Sequence, residues 1–287
     1  MGLRDVPGFA DLRSFLAFLE QDGDLKRIDA PVDLVHEVTE IHRRVLVAGG
    51  PALRFDNAQA GPTRAGMPVV VNLFGAQRRV AAGLGVRPDR VRELGEMLAA
   101  LREPAPVDGL KDALSRWPMV RAALSTRPQI VSRPPCQEIR LTGADVDLGR
   151  LPVQTCWPGE PAPLITWPLV ITRPPDTDAD DSAHTNVGVY RMQTLGKDRA
   201  ILRWLHHRGG AAHHRAWAMR GQDMPVAVAI GADPATILSA VLPLPETLSE
   251  LRFSGVLRGE RPRLARCASV PLVVPADSEI VIEGYAS

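Results

Sequence analysis

Residues Asn186 to Gly210 read NVGVYRMQTLGKDRAILRWLHHRGG and carry the most chemistry in the chain. They hold Arg191, Arg199, Arg203 and Arg208, the adjacent His206 and His207, and a Gly-Gly exit. Two apolar-rich runs, 187–194 and 200–205, flank a Leu-Gly-Lys-Asp turn, the pattern of a β-hairpin. Side chains alternate between the faces of a strand, so Arg191 and Arg203 are not a solvated helix stripe. A three-residue loop, 196–198, sets Arg191 opposite Arg203, and two facing cations are tolerable when an anion such as a phosphate lies between them. A two-residue loop spoils that pairing, and the sequence leaves the register open. Ordinary surface arginines on an exposed hairpin are the competing reading.

A second stretch, GADPATILSAV, reads as a strand turning into a helix. Gly231 permits the turn, Asp233 suits the N-cap and Pro234 the first helical position. Such a helix start offers backbone N–H groups to an anion, although most strand-to-helix junctions bind nothing.

The elements that position these residues fall into two regions. In the first, Asp11 caps a helix with Leu12, Phe15, Leu16 and Leu19 on one face, ended by Gly23. Leu34, Val38, Ile41 and Val45 repeat the spacing before Gly49 and Gly50. Strands are expected at 52–55 and 69–73, then a basic helix near 78–84. Val91, Leu94, Leu98 and Leu101 mark a further helix, weakened by Gly95, and another is expected near 110–124. From about Arg127 prolines cluster between strand-like runs at 138–142, 164–172, 187–194, 200–205 and 226–230, with last strands at 269–274 and 279–283. A boundary therefore falls within 125–135, dividing residues 1–128, an α/β domain, from residues 129–287, a β-rich one. The acidic loop 176–181 reads as a solvated tip.

Composition narrows the class. The 287 residues suffice for a substantial core, and a net charge of +1 carries no footprint for nucleic acid or an anionic membrane. Three cysteines without a C-x-x-C pair fit a reducing compartment and argue against a disulfide framework or a thiolate zinc site. No apolar signal core or run of about 18 apolar residues occurs, so the expected location is cytoplasmic, with no membrane span.

Ten segments in order resemble the UbiD family of prenylated-FMN-dependent decarboxylases: DLRSFLAFLEQDGDLKRI, AGGPALRF, PVVVNLFGAQRRVAAGLG, LPVQTCWPGE, LITWPLVITR, NVGVYRMQ, RWLHHRGG, VAVAIGADPATIL, PETLSE and SEIVIEGY. The resemblance is closest to 3-octaprenyl-4-hydroxybenzoate carboxy-lyase. It implies an N-terminal α/β domain followed by a split β-barrel flavin-binding domain, α+β overall. Asn186, His207 and Glu250 match side chains that hold a divalent ion against the flavin phosphate, a donor set suited to manganese or magnesium. Val189, Tyr190, Arg191, Arg203, Trp204, Leu205, Arg208 and Gly209 match flavin and phosphate contacts. Ser239, Ala240 and Leu242 match a potassium-binding segment. His206 is expected to pack or hydrogen-bond, and His213 and His214 to lie on the surface.

The implied reaction removes carbon dioxide from an aromatic or α,β-unsaturated acid, the flavin serving as electron sink. Arg191 matches the arginine of a Glu-Arg-Glu (or Asp) set, where it would grip the substrate carboxylate. The family's two acids lie in an E-G-P-x-G-E/D loop beyond EIVIEGY, which this chain does not contain, and a missing general acid is worth roughly 100- to 10,000-fold in rate. Glu279 and Glu283 belong to the preceding strand. The expectation is thus a carboxy-lyase that is incomplete as this chain, completed by a C-terminal polypeptide or part of a homo-oligomer, and supplied by a flavin prenyltransferase. A non-catalytic flavin-binding subunit and a flavin-reductase-like split-barrel oxidoreductase are the alternatives.

Overall fold

The computed structural model describes residues 5, 8–102, 127–244 and 248–287. Helix α1 (Leu12–Gln21) begins where expected. Asp11 Oδ1 accepts the Ser14 N–H at 2.7 Å, and Ser14 Oγ accepts the Asp11 N–H at 3.3 Å. This reciprocal cap satisfies donors that a bare helix start leaves unpaired. Phe15 and Leu19 turn inward, and Gly23, at φ 74°, reverses the chain into β1 (Leu25–Ile28). Then follow β2 (Val32–Asp33), α2 (Glu37–Val47), β3 (Ala52–Phe55), β4 (Ala58–Ala60), β5 (Thr63–Arg64), β6 (Val69–Val71), α3 (Gln77–Leu84) and α4 (Val91–Arg102). Strand β3 lies between β1, parallel, and β6, antiparallel, while β2, β4 and β5 form a second small sheet. Helix α2 starts three residues later than its apolar spacing suggests, because the Leu34 N–H donates to Gln59 O and His36 turns to φ 67°.

The second region comprises β7 (Gln129–Ile130), β8 (Leu164–Ile165), β9 (Leu169–Thr172), β10 (Asn186–Val189), β11 (Met192–Thr194), β12 (Ala200–Leu202), α5 (Gly209–Ala218), β13 (Met224–Ile230), α6 (Pro234–Ser239), α7 (Glu250–Arg258), β14 (Arg263–Arg266), β15 (Val273–Pro275) and β16 (Ile280–Ala286). Its main sheet runs β10-β9-β13-β16, flanked by the sheets β12-β11-β8 and β15-β14-β7. The expected mixture of helix and strand is present. Among the described residues, however, none of the sheets closes into a barrel.

Two long strand readings are each divided in two. The 164–172 run breaks at Trp167-Pro168, where proline has no N–H for a ladder. The 187–194 run breaks at Tyr190-Arg191, where the chain leaves the main sheet for the neighbouring one. The expected strand at 138–142 is absent: the segment follows a 3-10 turn, Pro135–Gln137, and Ile139 is 82% exposed with no ladder partner. The helix expected near 110–124 lies outside the described residues, as do the side chains of Leu98 and Leu101 and residues 245–247 of PETLSE. The acidic loop exposes Asp176, Asp178 and Asp180, as a solvated tip would, and adds surface ion pairs. Asp176 pairs with Arg220, Asp180 with Arg266, and Asp181 with His184 at 2.6 Å.

The packing joins the two regions. Ala81, Leu84 and Leu94 share one apolar cluster with Ala235, Leu238 and Phe253 from α6 and α7. A second cluster, containing Leu169, Ile171, Val187, Ala227 and Ala229, lies beneath the main sheet and against Leu251.

Candidate functional site

At the start of α5 the backbone approaches β10 closely. A Cβ on Gly209 would overlap Asn186 Oδ1, and one on Gly210 would overlap the Trp204 ring. Only glycine permits this seat. Asn186 pairs in register with Thr172 of β9, and its side-chain Nδ2 is buried without a hydrogen-bond partner. One residue on, the Val187 N–H donates to Glu250 Oε2 at 3.0 Å, which brings α7 to the same point. Burial pushes the Glu250 carboxyl above its ordinary value, opposed by that N–H and its own backbone N–H. Glu250 has no salt-bridge partner among the described residues, so a half-buried carboxylate lies against β10 one residue on from Asn186, whose carboxamide abuts the glycine start of α5. The Asn186 and Glu250 oxygens are the atoms here that could hold a cation, and the N–H groups of the helix start those that could face an anion.

The hairpin settles its register as a three-residue loop. Met192 pairs with Leu202, Gln193 with Ile201 and Thr194 with Ala200. The Leu195 N–H donates to Arg199 O at 2.8 Å, closing the loop over 196–198. This register puts Arg191 and Arg203 level with each other just beyond the ladder. Both line a cleft of about 700 Å³ together with Glu160, Gln193, Trp204 and Leu164. Neither guanidinium forms a salt bridge among the described residues. Tyr190 packs edge-on against Trp204, with ring centroids 5.0 Å apart, and its hydroxyl accepts the Gly210 N–H at 3.5 Å. The two aromatics thus connect the cleft to the glycine seat.

Other expected residues are spread around this core. Val189 is half-buried in β10, Leu205 is exposed, and Arg208 is the exposed N-cap residue of α5. His207 lies exposed in the turn before α5 and makes no hydrogen bond to Asn186 or Glu250 among the described residues. No group of three His, Cys, Asp or Glu side chains is placed to hold a metal among the described residues. An Asn-His-Glu set contains only two members of those types.

His206 is exposed, and only its carbonyl is engaged, accepting from Arg215 Nη1 at 3.0 Å. His213 is not a surface residue as expected. Its Nδ1 lies 2.9 Å from Thr172 Oγ1, and burial pulls it down to about 4. His214 is also half-buried rather than on the surface. At the α6 end, Asp233 caps the helix as expected, accepting from Ala235 and Thr236 N–H. The Ser239 hydroxyl donates back to Ala235 O at 2.7 Å, with Ala240 and Leu242 following it.

Glu279 accepts two hydrogen bonds from Arg13, both at 2.7 Å. Glu283 accepts the Ala268 and Ser269 N–H groups. Sequence reasoning missed Glu160. Its signal was a carboxylate in the WPGE turn, but nothing local showed that the turn folds over the hairpin.

The fold defines a mixed α/β protein whose arginine-lined cleft lies near a glycine seat. Residues 16–98 match the 3-octaprenyl-4-hydroxybenzoate carboxy-lyase N-terminal domain, and residues 129–287 match the 3-octaprenyl-4-hydroxybenzoate carboxy-lyase Rift-related domain. The chain belongs to the UbiD family. Among solved structures it is similar to the UbiD-class enzyme HmfF from Pelotomaculum thermopropionicum in complex with FMN, at 28% identity and a TM-score of 0.77, covering 96% of this chain and 54% of that one. An evolved dimeric form of HmfF in complex with prFMN matches at 28% identity and 0.76, covering 96% and 57%. Vanillic acid decarboxylase of Sedimentibacter hydroxybenzoicus in closed form matches at 25% identity and 0.78, covering 96% and 55%. The chain spans a little over half the length of these relatives. No helix among the described residues is long and apolar enough to cross a membrane.

Proposed function

We propose that this chain forms the cofactor-binding part of a decarboxylase that removes carbon dioxide from an aromatic or α,β-unsaturated carboxylic acid with prenylated FMN. The observation that carries this reading is that the Asn186 carboxamide abuts Gly209 at the start of α5 while the half-buried Glu250 carboxylate accepts from the next N–H of β10. The donor chemistry fits a metal-bridged flavin phosphate. Asn186 and Glu250 offer oxygen and His207 nitrogen, which suits manganese or magnesium. The helix start adds N–H groups for the phosphate. Potassium beside Ser239, Ala240 and Leu242 belongs to the same reading. When bound, prenylated FMN supplies the electron sink for loss of carbon dioxide.

The chain's own residues hold and orient. Arg191 grips the substrate carboxylate through paired, charge-assisted hydrogen bonds, and Arg203 and Arg208 hold anionic parts of the cofactor. Val189, Tyr190, Trp204 and Leu205 shape the surface against which the flavin packs. The two sheets β10-β9-β13-β16 and β12-β11-β8, between which the chain passes three times, are the halves of a split barrel in this reading.

Glu279 and Glu283 are tied to other partners, so the acidic members beside Arg191 come from a further segment or a complementing chain. A cytoplasmic protein, oligomeric and supplied by a flavin prenyltransferase, completes the proposal. Family membership disfavours a flavin-reductase-like oxidoreductase.

The test is retention of flavin. The purified chain, loaded with prenylated FMN and Mn²⁺ and then desalted, is expected to keep its flavin absorbance. Glu250→Ala is expected to lose most of it, and equal retention would remove the metal-bridged phosphate from the reading.

A further inference from the structure

The Trp157-to-Glu160 turn forms one wall of the arginine-lined cleft, and its carboxylate is fixed in an uneven way. Glu160 Oε2 accepts both the Cys156 N–H, at 2.7 Å, and the Trp157 N–H, at 3.2 Å. Oε1 accepts no hydrogen bond among the described residues. Holding a carboxylate by two backbone donors removes most of its rotational freedom, so the remaining oxygen is a preset acceptor. Across the same cleft lie Arg191 and Arg203, with Leu164 and Pro161 supplying apolar wall. One small space thus carries guanidinium donors and a fixed anion.

We propose that Glu160 is a specificity residue: it selects monocarboxylic acids that carry a second, hydrogen-bond-donating group and rejects dicarboxylic acids. This rests on reading the cleft as the acid-binding site. Arg191 satisfies one carboxylate. A hydroxyl elsewhere on the ligand meets Glu160 Oε1, and an unmatched acceptor or a second carboxylate there is penalised by lost hydration or like-charge repulsion. Glu160 therefore discriminates by repulsion as well as by attraction.

Glu160→Gln separates this role from turn capping. The glutamine Oε1 can accept both backbone N–H groups, while its NH₂ replaces the open acceptor with a donor. Binding of benzoate, 3- and 4-hydroxybenzoate and terephthalate is measured calorimetrically on the full chain saturated with FMN. The wild-type chain is expected to bind at least one hydroxybenzoate roughly tenfold more tightly than benzoate, and terephthalate more weakly than benzoate. In Glu160→Gln the hydroxyl preference over benzoate is expected to vanish, and terephthalate is expected to gain more than benzoate does, since it alone loses a like-charge repulsion. Equal weakening of all four ligands would reduce Glu160 to a turn cap and overturn the proposal. Wild-type binding of benzoate without preference would overturn it while leaving the cleft as the acid site. Failure of the wild-type chain to bind any of the acids would overturn both.

Discussion

Arg191 shows how far a single residue's chemistry can be argued. It stands exposed at the corner where the chain leaves one sheet for the next, level with Arg203 and facing a cleft with one fixed carboxylate. A lysine there keeps the charge but loses the planar two-pronged donor. Arg191→Lys is therefore expected to weaken benzoate binding about tenfold or more, measured by calorimetry in the FMN-loaded chain, without changing the thermal midpoint. Unchanged affinity would move the carboxylate grip to Arg203. Residue type and strand alternation made Arg191 visible in the sequence, and the family resemblance pointed to Asn186 and Glu250. Glu160 and His213 were not visible there, because a carboxylate in a proline-glycine turn and a histidine on a helix look the same whether they face water or a partner. Only the fold put Thr172 Oγ1 against His213 and the hairpin against Glu160.

Among the elements, α5 governs the candidate site. Its start sits on Asn186 because Gly209 lacks a side chain, and its next residue sits on Trp204 for the same reason. A methyl group at Gly209 must displace the Asn186 carboxamide or the helix. Gly209→Ala is expected to abolish flavin retention and to lower stability by about 1–3 kcal/mol, read from denaturant unfolding. Retained flavin with that destabilisation would separate packing from binding. The caps at Asp11 and Asp233 were legible because capping is chemistry over three residues. The breaks at Trp167-Pro168 and Tyr190-Arg191 were not, since an apolar run does not state which sheet each half joins.

At the scale of the whole molecule, the two regions share apolar surface. Phe253 of α7 is fully buried in a cluster that includes Ala81 and Leu84 of α3. A core that crosses both regions couples their unfolding. The chain is expected to melt in one transition by calorimetry and by tryptophan fluorescence, to which Trp157, Trp167, Trp204 and Trp217 of the second region contribute. Phe253→Ala is expected to lower the stability of both by about 3–5 kcal/mol. Two separate transitions, with only one moved by the substitution, would refute the shared core.

From sequence alone followed the mixed α/β character, the helix start at Asp11, the strand-to-helix turn at Asp233 and the residue types of an anion site, together with the resemblance that led to the UbiD family. These depend on short-range periodicity, capping and side-chain chemistry, all carried by neighbours in the chain. Tertiary structure decided the hairpin register, the seat of α5 on Asn186, the contact of Glu250 with the Val187 N–H and the cleft shared by Arg191, Arg203 and Glu160. Each of these joins residues far apart in sequence, and burial and charge opposition exist only once the chain has brought them together.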